Sequence, residues 1–279
     1  MTGCKQLEIT DPETGISFPV VIHYPSMEPS KPTAFGPYMM DVAMDAPMIA
    51  GKYPLVLISH GSGGSHLIYH TITRHLAQNG FIVAMTEHYG NNRVDNHLGD
   101  SVENLQYRPR HLKMTIDRLL DHPDFGKNLN GKVAVIGHSM GGYTALALAG
   151  GTPRTMEGEV ITLDHDTRVV AAVLLAPATG WFMHGLDKVS IPILILMAEH
   201  DSYTPLWNAE VVEKSVPDPS KVITKVIKGA GHFSFLSPFP EALKKLPGFL
   251  PATDPPGFDR EKFHEELKEM ILEFLGDIR

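Results

Sequence analysis

The chain has 279 residues, 43% hydrophobic and 20% charged, a globular composition that excludes a disordered, collagen-like or disulfide-stapled protein. Lys and Arg number 24 against 32 Asp and Glu, a formal charge of −8 without any basic cluster, which excludes nucleic acid as the expected partner. The one cysteine, Cys4, permits neither an intrachain disulfide nor a multi-thiolate metal site. The first residues lack the apolar stretch of a secretion signal, and no apolar run is long enough to span a bilayer, so a cytoplasmic protein with no membrane span is expected. At this length one domain with insertions is expected over residues 1–279.

In chain order, Gln6–Thr10 and Ser17–Tyr24 flank a turn at Asp11–Gly15 and predict an antiparallel hairpin at one edge of a sheet. Residues 25–52 break the pattern and read as a loop or small lid. Short apolar runs then recur at Leu55–Ser59, Phe81–Met85, Lys132–Gly137, Val169–Ala176, Ile191–Met197 and Val222–Lys228. They do not alternate with polar residues, which is the pattern of parallel strands covered on both faces. Between the strands, His66–Asn79 places Ile68, Ile72 and Leu76 on one helical face and stops at Gly80. Arg110–Asp121, entered by Pro109, repeats the stripe with Leu112, Ile116 and Leu119, and Arg260–Leu275 repeats it with Phe263, Leu267 and Ile271. Residues 152–167 and 237–258 are further loop or lid insertions, and one or more of the three is expected to shape a substrate entrance. Alternation of this kind predicts an α/β fold: a mostly parallel sheet of about eight strands, an antiparallel N-terminal edge, and helices on both faces.

The sharpest chemical signal is Gly137-His138-Ser139-Met140-Gly141-Gly142, lying between the apolar strand Val133–Ile136 and the helical run from Tyr143. A serine at such a strand-to-helix turn is exposed as a nucleophile, and glycines two residues to either side let strand and helix approach. A serine hydroxyl needs a base, and the base needs an orienting acid. Asp201 follows the strand at 191–197 and takes the acid's place, with Glu199 its local competitor and Asp164 and Asp166 read as solvated loop residues. His232 follows the last strand among glycines and takes the base's place. Of the chain's 15 histidines, most, such as His70, His75, His111 and His264, read as surface or packing residues, and without HExxH or a tight cluster neither metal nor cofactor is expected. His60-Gly61-Ser62-Gly63-Gly64-Ser65 follows a strand and predicts an oxyanion hole built from the amides of Ser62 and Met140, with His60 holding the loop by hydrogen bonds. Neither a phosphate-binding P-loop nor a dinucleotide fingerprint is present.

These residues resemble the α/β-hydrolase superfamily over nearly the whole chain. Within it, Leu57–Gly61, Gly80–His88 and Gly137–Gly142 resemble the branch of predicted dienelactone hydrolases and platelet-activating-factor acetylhydrolases, and Asp254–Arg260 is similar to the former group. Dienelactone hydrolase itself uses a cysteine nucleophile, whereas Ser139 stands at the turn here, so that substrate is not implied. The resemblance implies a carboxylic ester hydrolase, its family roles falling on Ser139, Asp201, His232, Ser62 and Met140. Tyr69, His138, Trp181, Phe182 and Phe233 are candidate pocket residues. Without a strongly amphipathic lid, small to medium acyl esters are expected as the small-molecule substrate. A lactonase, thioesterase or amidase would use the same machinery, and a non-catalytic binding module the same fold. The sequence leaves oligomeric state unread.

Overall fold

The polypeptide, described over residues 1–279 by a computed structural model, is organised around β5 (Tyr53–Ser59). Leu55 and Leu57 enter one core and Val56 and Ile58 the other, all 1% exposed or less. A strand buried on both faces has no solvent side, which is why its sequence is an unbroken apolar run. Parallel neighbours extend it: β6 (Ile82–Thr86) on one side, and β7 (Leu129–His138), β8 (Val169–Leu175), β9 (Ile193–Ala198) and β10 (Val222–Ile227) on the other. β10 is the outermost of these and leaves Ile223 and Val226 half exposed.

Beyond β6 the sheet becomes mostly antiparallel. β2 (Ser17–Pro25) pairs with β6 and with β1 (Thr2–Thr10), forming the hairpin predicted at Asp11–Gly15. That hairpin is not the edge, and the strands number ten, in the order β10-β9-β8-β7-β5-β6-β2-β1-β4-β3. β3 (Lys31–Phe35) and β4 (Tyr38–Met44) form a second hairpin turning at Gly36 (φ 56°) and Pro37, and β4 runs parallel to β1. Much of the stretch at 25–52, expected as loop or lid, is therefore sheet. Its period of two is hidden because Met39, 61% exposed, and Met40, 3% exposed, are both apolar.

On one face of the sheet, α1 (His70–Gln78) and α6 (Arg260–Phe274) bury Ile72, Leu76, Phe263, Leu267 and Ile271. On the other, α2 (Val102–Leu120), α3 (Met140–Leu148) and α4 (Trp207–Ser215) bury Leu112, Ile116, Leu146 and Val212. Truncating Leu57 or Ile116 to alanine would cost about 2–5 kcal/mol. The helix starts are chemically marked: the Asp259 carboxylate accepts the Lys262 amide at 3.0 Å and the Ser101 hydroxyl accepts that of Asn104 at 3.1 Å, each cap contributing about 1 kcal/mol. α2 thus begins well before the predicted Pro109, which lies in its interior. Proline cannot donate to the carbonyl four residues back; the Tyr143 hydroxyl of α3 donates to that carbonyl, Leu105, at 3.0 Å instead. A tertiary contact satisfies what the local sequence cannot. No helix is long and apolar enough to cross a membrane.

Candidate active site

Ser139 sits between the last residue of β7 and the first of α3, at φ 53° and ψ −118°. Such a backbone costs about 1–3 kcal/mol and persists only where its surroundings hold it. Here the Ser139 amide donates to Leu175 O at 3.0 Å, and the amides of Gly142 and Ala178 donate to Ser139 O at 2.8 and 2.9 Å. A Cβ on Gly137 would collide with the carbonyl of Gly141, and one on Gly141 with that of Ser59. The two glycines are therefore steric requirements of the turn, as the motif predicts. Met140 opens α3, so its amide has no acceptor within the helix and points at the positive end of the helix dipole.

The loop after β5 approaches the same point. A Cβ on Gly61 would lie 3.2 Å from His138 Nδ1 and 3.3 Å from Ser139 Cβ, a tight fit that glycine relieves. His60 donates through Nδ1 to Gly61 O at 2.7 Å and accepts the His88 amide on Nε2 at 3.0 Å. It holds the loop as predicted and cannot titrate near neutrality, because burial and the nearby Arg108 cation keep it well below the usual histidine range. The Ser62 hydroxyl accepts from Asn91 Nδ2 at 2.9 Å.

Asp201 and His232 come from the loops after β9 and β10. His232 Nδ1 donates to Asp201 Oδ2 at 2.7 Å, while the other carboxylate oxygen accepts the amides of Tyr203 and Thr204 at 2.8 and 2.9 Å. Burial pushes the Asp201 carboxyl up, but the hydrogen bonds from His232 and Thr204 outweigh it and hold the group below the ordinary range. Glu199, the competitor, is instead turned to the Gly229 amide at 2.7 Å, and Asp166 pairs with Arg168. His138, buried and held down to about 3 by desolvation, donates through Nε2 to the His232 carbonyl at 2.9 Å. It ties the main chain of the candidate base to the end of β7.

Ser139, His232, Ser62, Tyr69, His138 and Phe233 all line one cavity of about 770 Å3. Ser139 and His232 meet there as neighbouring walls, without a direct hydrogen bond, a spacing common in unliganded hydrolases. Two of the insertions enclose the cavity: Pro37 and Tyr38 come from 25–52, and Phe239, Leu243, Phe249 and Pro251 from 237–258. Trp181 and Phe182 are not part of it. After β8 the chain passes through Pro177 into a short turn at Gly180–Phe182 on the α3 side, where Phe182 stacks on Tyr143 at 5.2 Å in the core and Trp181 meets the same ring edge-on at 5.3 Å.

The sequence reading misses Arg108. Fully buried in α2, it donates from Nε to Thr144 Oγ1 at 2.9 Å, from Nη1 to Asn91 Oδ1 at 2.6 Å, and from Nη2 to Ser59 Oγ at 3.3 Å and to the His60 carbonyl. Thr144 in turn donates to Met140 O at 3.0 Å. One guanidinium thus braces both the Ser62 loop and the first turn of α3. Its signal is present: extending the stripe Leu112, Ile116, Leu119 back by four residues lands on Arg108, a cation on a core face.

The fold has close counterparts among solved structures. A ferulic acid esterase from Streptomyces cinnamoneus superimposes with TM-score 0.72 over 98% of this chain and 88% of its own, at 21% identity. A dienelactone hydrolase from Anabaena variabilis gives TM-score 0.58 over 97% and 98% at 17% identity. The chain has the α/β-hydrolase fold. The sequence profile of the chlorophyllase family matches residues 26–164, a segment that contains Ser62, Ser139 and Met140 and ends before Asp201 and His232. Bovine platelet-activating factor acetylhydrolase is 26% identical over 77% of the chain and 55% of its own length. Chlorophyllase-1 of Arabidopsis thaliana is 29% identical over 50% of the chain and 40% of its own. The chain spans about half the length of these curated relatives.

Proposed function

We propose that the protein is a serine esterase that cleaves apolar carboxylic esters through an acyl-enzyme on Ser139. The observation that carries this reading is His232, on the wall of the cavity that also receives the strained Ser139 and backed at 2.7 Å by the buried Asp201 carboxylate. Relatives named acetylhydrolase and esterase support the reaction class. The cavity, at about 770 Å3, is of the size that encloses drug-sized ligands, so it takes medium-sized apolar arms in preference to the smallest acyl groups.

With Nδ1–H committed to Asp201, His232 offers the lone pair of Nε2. As Ser139 Oγ bonds to the ester carbonyl carbon, its proton passes to Nε2 and the carbonyl electron pair moves onto oxygen, which the amides of Ser62 and Met140 receive. Collapse of the tetrahedral species expels the alcohol with the proton from His232. Water then adds to the acyl-enzyme by the same path and releases the acid and free Ser139. Asp201 stays ionised throughout, holding the imidazole tautomer and stabilising the imidazolium. Loss of either oxyanion donor would cost on the order of 10²–10³ in kcat.

The test is a pre-steady-state assay on p-nitrophenyl esters of increasing acyl length. Native protein is expected to give a burst that Ser139→Ala abolishes, with kcat lower by about 10⁶. Turnover unchanged by the substitution, or no turnover by folded native protein at any length, overturns the reading.

A further inference from the structure

The cavity that holds Ser139 is not the only hollow at this end of the sheet. A cleft of about 550 Å3 opens on the other side of Tyr203, walled by Trp181, Trp207, Met156, Met183 and Arg154. Tyr203 belongs to both hollows. Its ring centre lies 4.9 Å from that of His232, and its amide donates to Asp201. Thr204 and Ala178 also line the cleft; the Thr204 hydroxyl donates to Asp201 Oδ2 at 2.8 Å and the Ala178 amide to Ser139 O at 2.9 Å. The cleft is thus built onto the scaffolding of the site itself.

Its walls are costly to leave in water. Met156 is 95% exposed, Tyr203 59%, Met183 54% and Trp207 48%, and a cluster of large apolar side chains at the surface marks a binding region. The sequence has two tryptophans, and both face this cleft. Trp207 rests against bare backbone at Gly180, where a Cβ would come within 3.3 Å of the indole, so the ring is held in place before any ligand arrives. Indole, phenol and thioether walls favour a flat aromatic group, through offset or edge contacts and sulfur contacts. The insertion at 152–167, which has no part in the Ser139 cavity, supplies Arg154, Thr155, Met156 and Gly158 here.

An ester carbonyl carbon carries two arms that diverge, and two hollows diverge from Tyr203. Resting on the esterase reading, we propose that the substrate is an ester bulky on both sides: an apolar arm in the Ser139 cavity and an aromatic arm between Trp181 and Trp207, with Tyr203 as the partition between them. This assigns a use to all three insertions, two enclosing one arm and the third the other.

Two measurements test the proposal. The first compares kcat/KM for phenyl acetate with ethyl acetate, and for methyl phenylacetate with methyl acetate, in native protein and Trp207→Ala; taking each aromatic-to-aliphatic ratio across proteins cancels intrinsic reactivity. At least one ratio is expected to fall about tenfold, and both unchanged within about twofold overturns the proposal. The second alters no wall residue. Collisional quenching of tryptophan emission by acrylamide is followed in Ser139→Ala protein, which binds without turnover. Saturating phenyl acetate or methyl phenylacetate is expected to shield the emission while ethyl acetate does not, and equal quenching with all three overturns the aromatic site. Shielding in a protein whose native form cleaves no ester would instead remove the esterase reading and leave the aromatic site standing.

Discussion

The two sides of Ser139 are built from different chemistry. On one side, His232 stands on a loop at the cavity wall and is hydrogen-bonded to the carboxylate of Asp201 behind it, the base and acid of the proposed reaction. On the other, behind Ser62 and Met140, lies a buried web of Arg108, His60, His88, Asn91 and Ser59 with no carboxylate in it. Burial, helped by the Arg108 cation, keeps His60 and His88 neutral and lowers His111 to about 3. Arg108 itself is brought down by desolvation to about 9, still a cation at neutral pH. The contrast fits the two tasks proposed for them. Proton transfer needs a group that changes state, whereas holding an oxyanion needs dipoles and charge that do not.

The largest expected effects fall on the side that changes state. Asp201→Asn keeps the shape of the pair but lets His232 take the wrong tautomer, and kcat is expected to fall about 10⁴-fold with the thermal midpoint little moved. A smaller loss of activity accompanied by unfolding would mean that Asp201 serves the fold and would dissolve the contrast.

On the fixed side, Arg108→Met is expected to lower kcat by about 10²–10³, since both oxyanion donors lose their brace. It also strips buried acceptors of donors, at about 1–3 kcal/mol each. A tetrahedral-intermediate mimic such as a trifluoromethyl ketone separates the two effects. Its affinity should fall in parallel with kcat while KM is nearly unchanged, and Arg108→Lys, restoring charge without the fork, should recover part of it. Equal weakening of substrate and mimic would show that Arg108 supports only the fold.

The neutral histidines make a further prediction about pH. Each of His111 and His138 has a folded-state value near 3 against an unfolded value of about 6.5, so below about 6.5 the unfolded chain binds protons that the folded one refuses. Stability is therefore complete above pH 6.5 and is lost progressively as pH falls toward 3, by up to about 1.4 kcal/mol per pH unit for each such group. Urea midpoints between pH 7 and 4.5 report it. A flat profile would mean that these buried histidines titrate in the folded protein as they do in the unfolded chain.

What the sequence reveals divides along the same line. Ser139, Asp201 and His232 stand out as candidates because each follows a strand in the chain order that this fold uses, and the glycines around Ser139 carry their steric reason locally. The web behind Ser62 is not, because Arg108, Asn91 and Thr144 come from separate segments and look like ordinary polar residues until the fold brings them together. The edge hairpin at 31–44 escapes notice for a different reason: paired methionines erase the contrast between its faces. Trp181 and Phe182 follow a strand, as site residues do, yet their turn packs them against Tyr143 of α3 and outside the Ser139 cavity.

The smallest effect concerns the joint between α2, which carries Arg108, and α3, which begins beside Ser139. Tyr143 donates to Leu105 O at 3.0 Å because Pro109 cannot. Tyr143→Phe should leave that carbonyl buried and unpaired, a loss of about 1–3 kcal/mol. Pro109→Ala alone should have a smaller effect, since its new amide competes for an acceptor already taken. Combined with Tyr143→Phe, however, the alanine amide supplies the missing donor, and the double variant should regain much of the loss. Such a double-mutant cycle yields a favourable coupling only if the hydroxyl replaces the helix bond, and simple additivity of the two changes would show that Tyr143 contributes ring packing alone.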